Sequence, residues 1–461
     1  MSEEKKMRGF AFLMILFLIL VFTNQGAVID RKSRDFNDGR NRVVYQARVN
    51  QEGEMQWSTT FGTTEWESAS SLIQTSDGSF LLAGESNANG APSDMWLVKS
   101  DTNGQYLWNR TFGGTRSDKA KDLIQTTDGG FALAGETRID FFTEGMLLVK
   151  TTVNGEEEWN ATFEGTDHAS AESLVQTTDN GFALAGFLDI DLEINFNYYM
   201  WLVKTDTNGV KEWEKTFGGT GDEQAVSLIQ TTDGGYLLAG FTSSYGAGGD
   251  DIWLVKTDAN GEQEWNKTFG GTENERANSL IQTMDGGFAI AGSTRSYGAG
   301  EGDMWLVKTD TNGEQEWNVT FGGAEYDGAY SLIQLSDNGF LLGGITYSQV
   351  EYNDIYLVRT DMTGQFEWER RFGGGYIDYA KSVIQTSDGG CALAGPTQSY
   401  GAGGSDMYLV KTTPISLATT TTTTVSTIDT TTSDGVELTP FALISAIITL
   451  GLWRKRKKKH K

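Results

Sequence analysis

The feature that most constrains this chain is a tryptophan that returns behind a glycine-bearing turn. It stands at Trp57, Trp108, Trp159, Trp213, Trp265, Trp317 and Trp368, with spacings of 51, 51, 54, 52, 52 and 51 residues. A repeat of this period builds one body by adding units, so 461 residues need not divide into several ordinary domains. Within the unit 265–316, Ala277 to Thr283 reads as a strand, Asp285-Gly286-Gly287 as a hairpin turn and Phe288 to Gly292 as the returning strand. A longer loop leads to a third strand, Asp303 to Thr309, and Thr311-Asn312-Gly313 turns into a fourth that carries Trp317 and Phe321. Asp-Gly and Asn-Gly supply the positive φ that tight hairpins need. Four strands in a unit of this length is the signature of a propeller blade, and no stretch of the repeat has helical periodicity. Seven first hairpins, at Leu72, Leu123, Leu174, Leu228, Leu280, Leu332 and Val383, match the seven tryptophans. The expected fold is all-β: a seven-bladed β-propeller of four-stranded antiparallel blades over residues 43–412.

Closure follows from the same count. The last unit has three strands and ends with Asp406 to Thr412; its missing outer strand stands at the N-terminus, around Met55 to Phe61. Pairing the two removes a sheet edge. Val43 to Val49 resembles a third strand and competes with 406–412 for one place; the sequence leaves that competition open.

The two ends place the protein. Lys5, Lys6 and Arg8 precede an apolar run from Phe10 to Phe22, the pattern of a secretory signal, cleaved near Gly26–Ala27 or kept as an anchor. Residues 1–27 are thus a signal peptide or N-terminal anchor, and 28–42 a charged linker. Residues 413–435 are a Thr-rich stalk that cannot bury a core. Leu438 to Trp453 is apolar, and Arg454 to Lys459 is a run of cations, which the positive-inside bias puts in the cytoplasm. Residues 436–453 are expected as a transmembrane anchor or a sorting helix exchanged for a lipid, and 454–461 as a basic cytoplasmic tail. This end resembles the C-termini of archaeal surface proteins. The expected location is the extracellular face of a cell membrane.

Charge and rare residues exclude several functions. The net charge is −26; removing the +3 of residues 1–42 and the +4 of residues 413–461 leaves the repeat body at about −33, which repels nucleic acid. One cysteine, Cys391, rules out an intrachain disulfide; it fills the slot of Phe131, Phe182, Tyr236, Phe288 and Phe340 and reads as a buried small residue. The two histidines, His168 and His460, leave little material for a Ser-His-Asp triad or a zinc site.

The stretch Asp310 to Trp317 resembles the Trp-docking motif of quinoprotein-like (PQQ-type) propellers, with a turn one residue shorter. With Asp-Gly-Gly-Phe-Ala, Trp-Leu-Val-Lys-Thr-Asp and Thr-Phe-Gly-Gly, the repeat is similar to those of secreted bacterial and archaeal propeller proteins. The resemblance implies the fold over nearly all of 43–412. It does not imply the quinone, because these tryptophans hold blades together, and propellers host many functions.

Two loop classes are long and variable and share one face, where binding usually resides. Counting seven from the Phe of Phe-Gly-Gly gives Glu67, Asp118, Ala169, Glu223, Glu275, Asp327 and Asp378. These acids form either a ring able to hold Ca²⁺ or a polycation, or a set of Asx-type loop acceptors; a feature repeated in every blade is generally scaffold. Tyr245, Tyr297 and Tyr400, each in Ser-Tyr-Gly-Ala-Gly, either stack on sugar rings or pack over their own blades. Asp189, Asp191 and Glu193 are a candidate Ca²⁺ ligand set without an intact EF-hand pattern. Asn109, Asn160, Asn266 and Asn318 head four Asn-x-Thr sequons at equivalent positions of the outermost strands, so they are candidate glycosylation sites.

The leading expectation is a surface-anchored, monomeric binding or adhesion module for an extracellular glycan, protein or cation. The alternatives are a polysaccharide-acting enzyme using carboxylates on the loop-rich face and a structural envelope scaffold. Scarce histidine, near-identical blades and the lack of a one-off motif count against an enzyme, and no catalytic residue is named. A single asymmetric pocket lined by unlike residues from different blades would revive it.

Overall fold

Each repeat forms a sheet because apolar runs alternate with Gly-bearing turns. A computed structural model describes residues 52–415, apart from 89–91, 142, 166–167, 190–196 and 348–352, together with the backbone of strands 28–35 and 42–48. In the fifth blade Glu275–Gln282, Phe288–Thr294, Asp303–Thr309 and Gln315–Phe321 pair in sequence order, all antiparallel. Five other blades repeat the pattern, beginning at Glu67, Asp118, Ala169, Glu223 and Asp327. The seventh consists of Ser382–Gln385, Cys391–Thr397, Asp406–Thr412 and Met55–Phe61. The first strands neighbour one another around a closed circle of seven, leaving a central channel.

The blades are joined by apolar side chains from facing sheets. Between the fourth and fifth, Leu237, Ile252, Leu254 and Phe269 meet Leu280, Phe288, Ile290 and Trp305. Equivalent clusters fill all seven junctions, including that of the seventh blade with the first, where Met407 and Leu409 meet Phe80 and Trp96. The repeating tryptophan adds an outer clasp. A Cβ on Gly313 would sit 2.7 Å from the Trp265 ring, and its φ of +76° is one that only glycine adopts freely, so the turn both bends and offers a flat seat. Trp368 packs in the same way on Gly53, so the clasp closes the ring too.

Charge is used inside each blade as well. The third-strand cation, Lys308 in the fifth blade, is buried between Asp285 of the Asp-Gly-Gly turn (3.0 Å) and Glu316 of the outer strand (3.0 Å). Lys150, Lys204 and Lys256 repeat this bridge, and Arg359 replaces lysine in the sixth blade. Burial alone would raise the turn acids; their lysine and threonine partners outweigh it and hold Asp128, Asp179 and Asp233 down at about 2.

Closure occurs between Asp406–Thr412 and Met55–Phe61, running Met55↔Thr412 to Phe61↔Met407. The competing segment pairs elsewhere: Arg42–Arg48 forms a two-stranded antiparallel sheet with Val28–Asp35, in a unit separate from 51–417. Cys391 is buried in its aromatic slot, and burial pushes its thiol up to about 12. Residues 1–27, expected as a signal segment, and the end of the chain from 416, which holds most of the expected stalk, membrane segment and basic tail, lie outside the described residues. Among the described residues no helix is long and apolar enough to cross a membrane.

Candidate binding site at the channel mouth

The acidic column heads the first strands, or in the seventh blade the segment just before one, facing the long loops. Glu67, Asp118, Glu223, Glu275, Asp327 and Asp378 are all buried. Each accepts a backbone N–H from its own Phe-Gly-Gly loop, at 2.7–2.9 Å: Thr63, Gly114, Gly219, Gly271, Gly323 and Gly374. Glu275 also accepts from Thr294 Oγ1 (2.8 Å), Arg295 N (3.1 Å) and Ser296 N (2.9 Å). Burial would push its carboxyl up, yet these bonds together hold it below the usual range. Asp327 goes the other way, raised by burial against its Thr346 and Gly323 bonds, with Asp303 adding repulsion. The acids therefore fasten loops to blades, with their oxygens turned into the protein.

The three loop tyrosines lie partly exposed over their own blades. Tyr245, Tyr297 and Tyr400 donate to the carbonyls of Gly218 (3.1 Å), Gly270 (2.9 Å) and Gly373 (2.5 Å). Their rings rest on Trp253, Trp305 and Tyr408 at 5.3–5.5 Å. Asp189 is buried, while Asp191 and Glu193 lie outside the described residues. Among the described residues no group of three or more His, Cys, Asp or Glu is arranged to hold a metal. The sequon asparagines stand on outermost strands, Asn160, Asn266 and Asn318 exposed and Asn109 half-buried.

The residues that differ between blades lie one and three places beyond the acids. Six first strands carry a β-bulge between the recurrent alanine and the residue two further on, as at Ala277/Ser279. The second strand must pass close beneath it: a Cβ on Gly292 would lie 1.9 Å from the Arg276 carbonyl. The bulge residue has no strand partner and changes around the ring: Ser70, Lys121, Glu172, Val226, Asn278 and Tyr330, with Lys381 equivalent in the seventh blade. Two residues earlier stand Ser68, Lys119, Ser170, Gln224, Arg276, Gly328 and Tyr379. The seventh blade is irregular for a visible reason. Pro396 accepts from Tyr379 N (3.3 Å) but has no N–H to return, and Ala380 N turns to Gly344 O of the sixth blade (3.2 Å).

These positions converge on an asymmetric mouth at the loop-rich end of the channel. One arc is charged: Lys119 pairs with Glu136 (3.0 Å), and Lys121 with Glu136 (3.5 Å) and Glu172 (3.6 Å), all 20–35% exposed and so reachable by a ligand. The other arc is aromatic: Tyr330 meets Tyr379 at 5.8 Å, and Tyr326 meets Tyr347 edge-on at 5.5 Å. Lys381 joins the arcs, its ammonium 6.0 Å from the Tyr379 ring. The groups feel one another across the channel. Burial alone would lower Lys121, but Glu172, Glu136 and Glu85 raise it; Lys381 is lowered, by burial and then by Lys121. Burial also raises Tyr330 and Tyr379. These residues do not recur from blade to blade, so the repeat pattern does not mark them. Their signal was Lys119, Lys121, Glu172 and Lys381 in columns otherwise holding mostly small, uncharged or aromatic residues.

Behind the mouth a belt of hydrogen bonds links the first strands. Ser173, Ser227, Ser279, Ser331 and Ser382 each accept the amide of the next blade's Leu228, Leu280, Leu332, Val383 or Leu72 at 3.0–3.2 Å. Asp122 takes the serine place in the second blade, accepting from Leu174 N (2.9 Å), Leu123 N (2.8 Å) and Ser71 Oγ (3.1 Å), and burial pushes its carboxyl up. At the opposite end, a hollow of about 590 Å³ between the first and seventh blades is lined by uncharged residues such as Gln74, Ser76, Gln385 and Ser387.

No family model matches the chain. The regulatory protein FlaEY of Caulobacter vibrioides is 25% identical over 221 residues, 43% of this chain and 22% of the relative, so the chain spans about a fifth of that curated relative. Sqt1 from Chaetomium thermophilum superposes with a TM-score of 0.45 at 15% identity, covering 74% of this chain and 83% of the other. An alpha-L-arabinanase of Penicillium chrysogenum gives 0.42 at 10% identity, covering 78% and 99%. A fungal alcohol oxidase in complex with copper gives 0.48 at 11%, covering 79% and 77%. Likenesses this distant say nothing of activity, and the propeller rests on the strand pairing itself.

Proposed function

We propose that this chain is an extracellular, membrane-tethered propeller that binds its ligand at the loop-rich mouth of the channel. The observation that carries this reading is the asymmetry of the mouth: unlike side chains from different blades, partly exposed, gathered where the rest of the repeat is nearly uniform. Its position outside the cell is supported by sequence: the signal-like run Phe10 to Phe22, the Thr-rich stalk and the apolar, then basic, C-terminus. Glycans on Asn109, Asn160, Asn266 and Asn318 would coat the rim and leave the mouth open. Glycan and protein arrays probed with the full chain test the reading. Binding lost in Tyr330→Ala supports it, and binding that ignores every mouth substitution rejects it.

The same asymmetry supports a second reading, a polysaccharide-acting enzyme, because Glu136 and Glu172 face Lys121 in a site found once in the ring. Hydrolysis of a polysaccharide that disappears in Glu172→Gln would favour it over simple binding.

A further inference from the structure

We infer that the Lys381 ammonium and the rings of Tyr330 and Tyr379 form a subsite for a carboxylated sugar, a uronic-acid residue of an extracellular polysaccharide; this rests on the binding role proposed for the same mouth. Lys119 and Lys121 already have carboxylate partners, at 3.0 Å and 3.5–3.6 Å. Lys381 is half-buried and, among the described residues, has the Tyr379 ring rather than a carboxylate beside it. An ammonium withdrawn from water without a counter-ion is costly. Burial, Lys121 and Lys119 all disfavour its charge, and Glu85 and Glu172 oppose them only from a distance. A ligand carboxylate supplies the missing partner in a charge-assisted hydrogen bond.

The neighbours fit a sugar. Tyr330 and Tyr379, from adjacent blades and both half-buried, stand 5.8 Å apart with planes 45° from each other, an aromatic pair of the kind that packs against the C–H side of a pyranose. The next blade contributes the small Ser70 at the equivalent bulge. Glu85, also from that blade, is an acceptor for ring hydroxyls. A peptide carboxylate would use the lysine but has no need of the paired rings.

The full chain, purified in detergent, is titrated calorimetrically with oligomers of galacturonate, glucuronate and mannuronate, their methyl esters, neutral galacto-oligosaccharides and an oligoglutamate peptide. At least one uronate oligomer is expected to bind about tenfold more tightly than its methyl ester, the size of one charge-assisted contact. Lys381→Met should erase that difference while Lys381→Arg keeps it, and Tyr379→Ala should weaken both forms. Uronate binding should fall as pH rises through the lysine's titration in the native protein and stay flat in Lys381→Arg. Equal affinity for acid and ester overturns the inference but leaves the binding site standing. Binding of oligoglutamate alone assigns the mouth to acidic peptides and overturns it. Binding of no probe overturns it as well, and array binding by the same protein then decides whether the mouth binds anything.

Discussion

Glu275 and the five other acids of its column stand where the first strands begin, or just before it in the seventh blade; Lys121, Tyr330, Tyr379 and Lys381 lie one to three residues further along the chain. The acids recur in six of seven blades, are buried, and are occupied by donors of their own loops. The second set changes from blade to blade, stays partly open, and includes contacts across blade junctions, Lys121 to Glu172 and Tyr330 to Tyr379. In a repeat fold, recurrence marks what every unit needs in order to fold, and departure from the repeat marks what the ring needs once. The two sets should therefore respond oppositely to substitution: the first in stability, the second in binding.

The largest effect is expected at the uniform set. Glu275→Ala strands the donors of Gly271, Thr294, Arg295 and Ser296 in a buried place and should cost on the order of 3 kcal/mol, read from denaturant melts. A smaller effect of opposite sign is expected where a carboxylate stands in the serine belt. Asp122 has a raised native pKa, so its contribution is complete below the unfolded value near 4 and is lost as pH rises through the native one. Asp122→Ser can keep the Leu174 amide bond without the buried charge and should stabilise by about 1 kcal/mol at neutral pH, with no gain in acid. Equal melting temperatures at both pH values would break this account.

The turn acids test the scaffold from the other side. Asp128, Asp179 and Asp233 are depressed to about 2, so their contribution is present above about 4 and lost as pH falls towards 2. Asp233→Asn should flatten that acid loss by no more than ~1 kcal/mol, because the pair is largely exposed on the aspartate side. The smallest change in stability is expected at the mouth. Tyr330→Phe should shift unfolding by less than about 0.5 kcal/mol, and Lys381→Met, which removes a half-buried charge with no carboxylate beside it, should not lower stability.

The same contrast explains what the sequence could tell. The Gly-x-x-x-Trp turns, the alternating strands and the Asp-Gly-Gly hairpins each carry a local physical reason, so blade number and strand order were legible. Closure by Met55–Phe61 was legible because the last unit lacks a strand. The fate of Val43–Val49 was not, since its pairing with Val28–Asp35 depends on a segment outside the repeat. Aligning the repeats drew attention to the acids and tyrosines that recur, whose hydrogen bonds stay within their own blades. The mouth was hidden for two reasons. A bulge shifts the period-two reading by one residue, and the contacts joining Lys121 to Glu172 or Tyr330 to Tyr379 span about 50 residues of chain.

The most direct measurement sets one member of each set side by side: ligand affinity and unfolding free energy of Tyr379→Ala and Glu275→Gln, against the native chain. Tyr379→Ala is expected to lose affinity about tenfold or more at nearly native stability, while Glu275→Gln loses stability and keeps the affinity of its folded fraction. Affinity lost in Glu275→Gln and retained in Tyr379→Ala would put function in the recurrent acids and contradict that expectation.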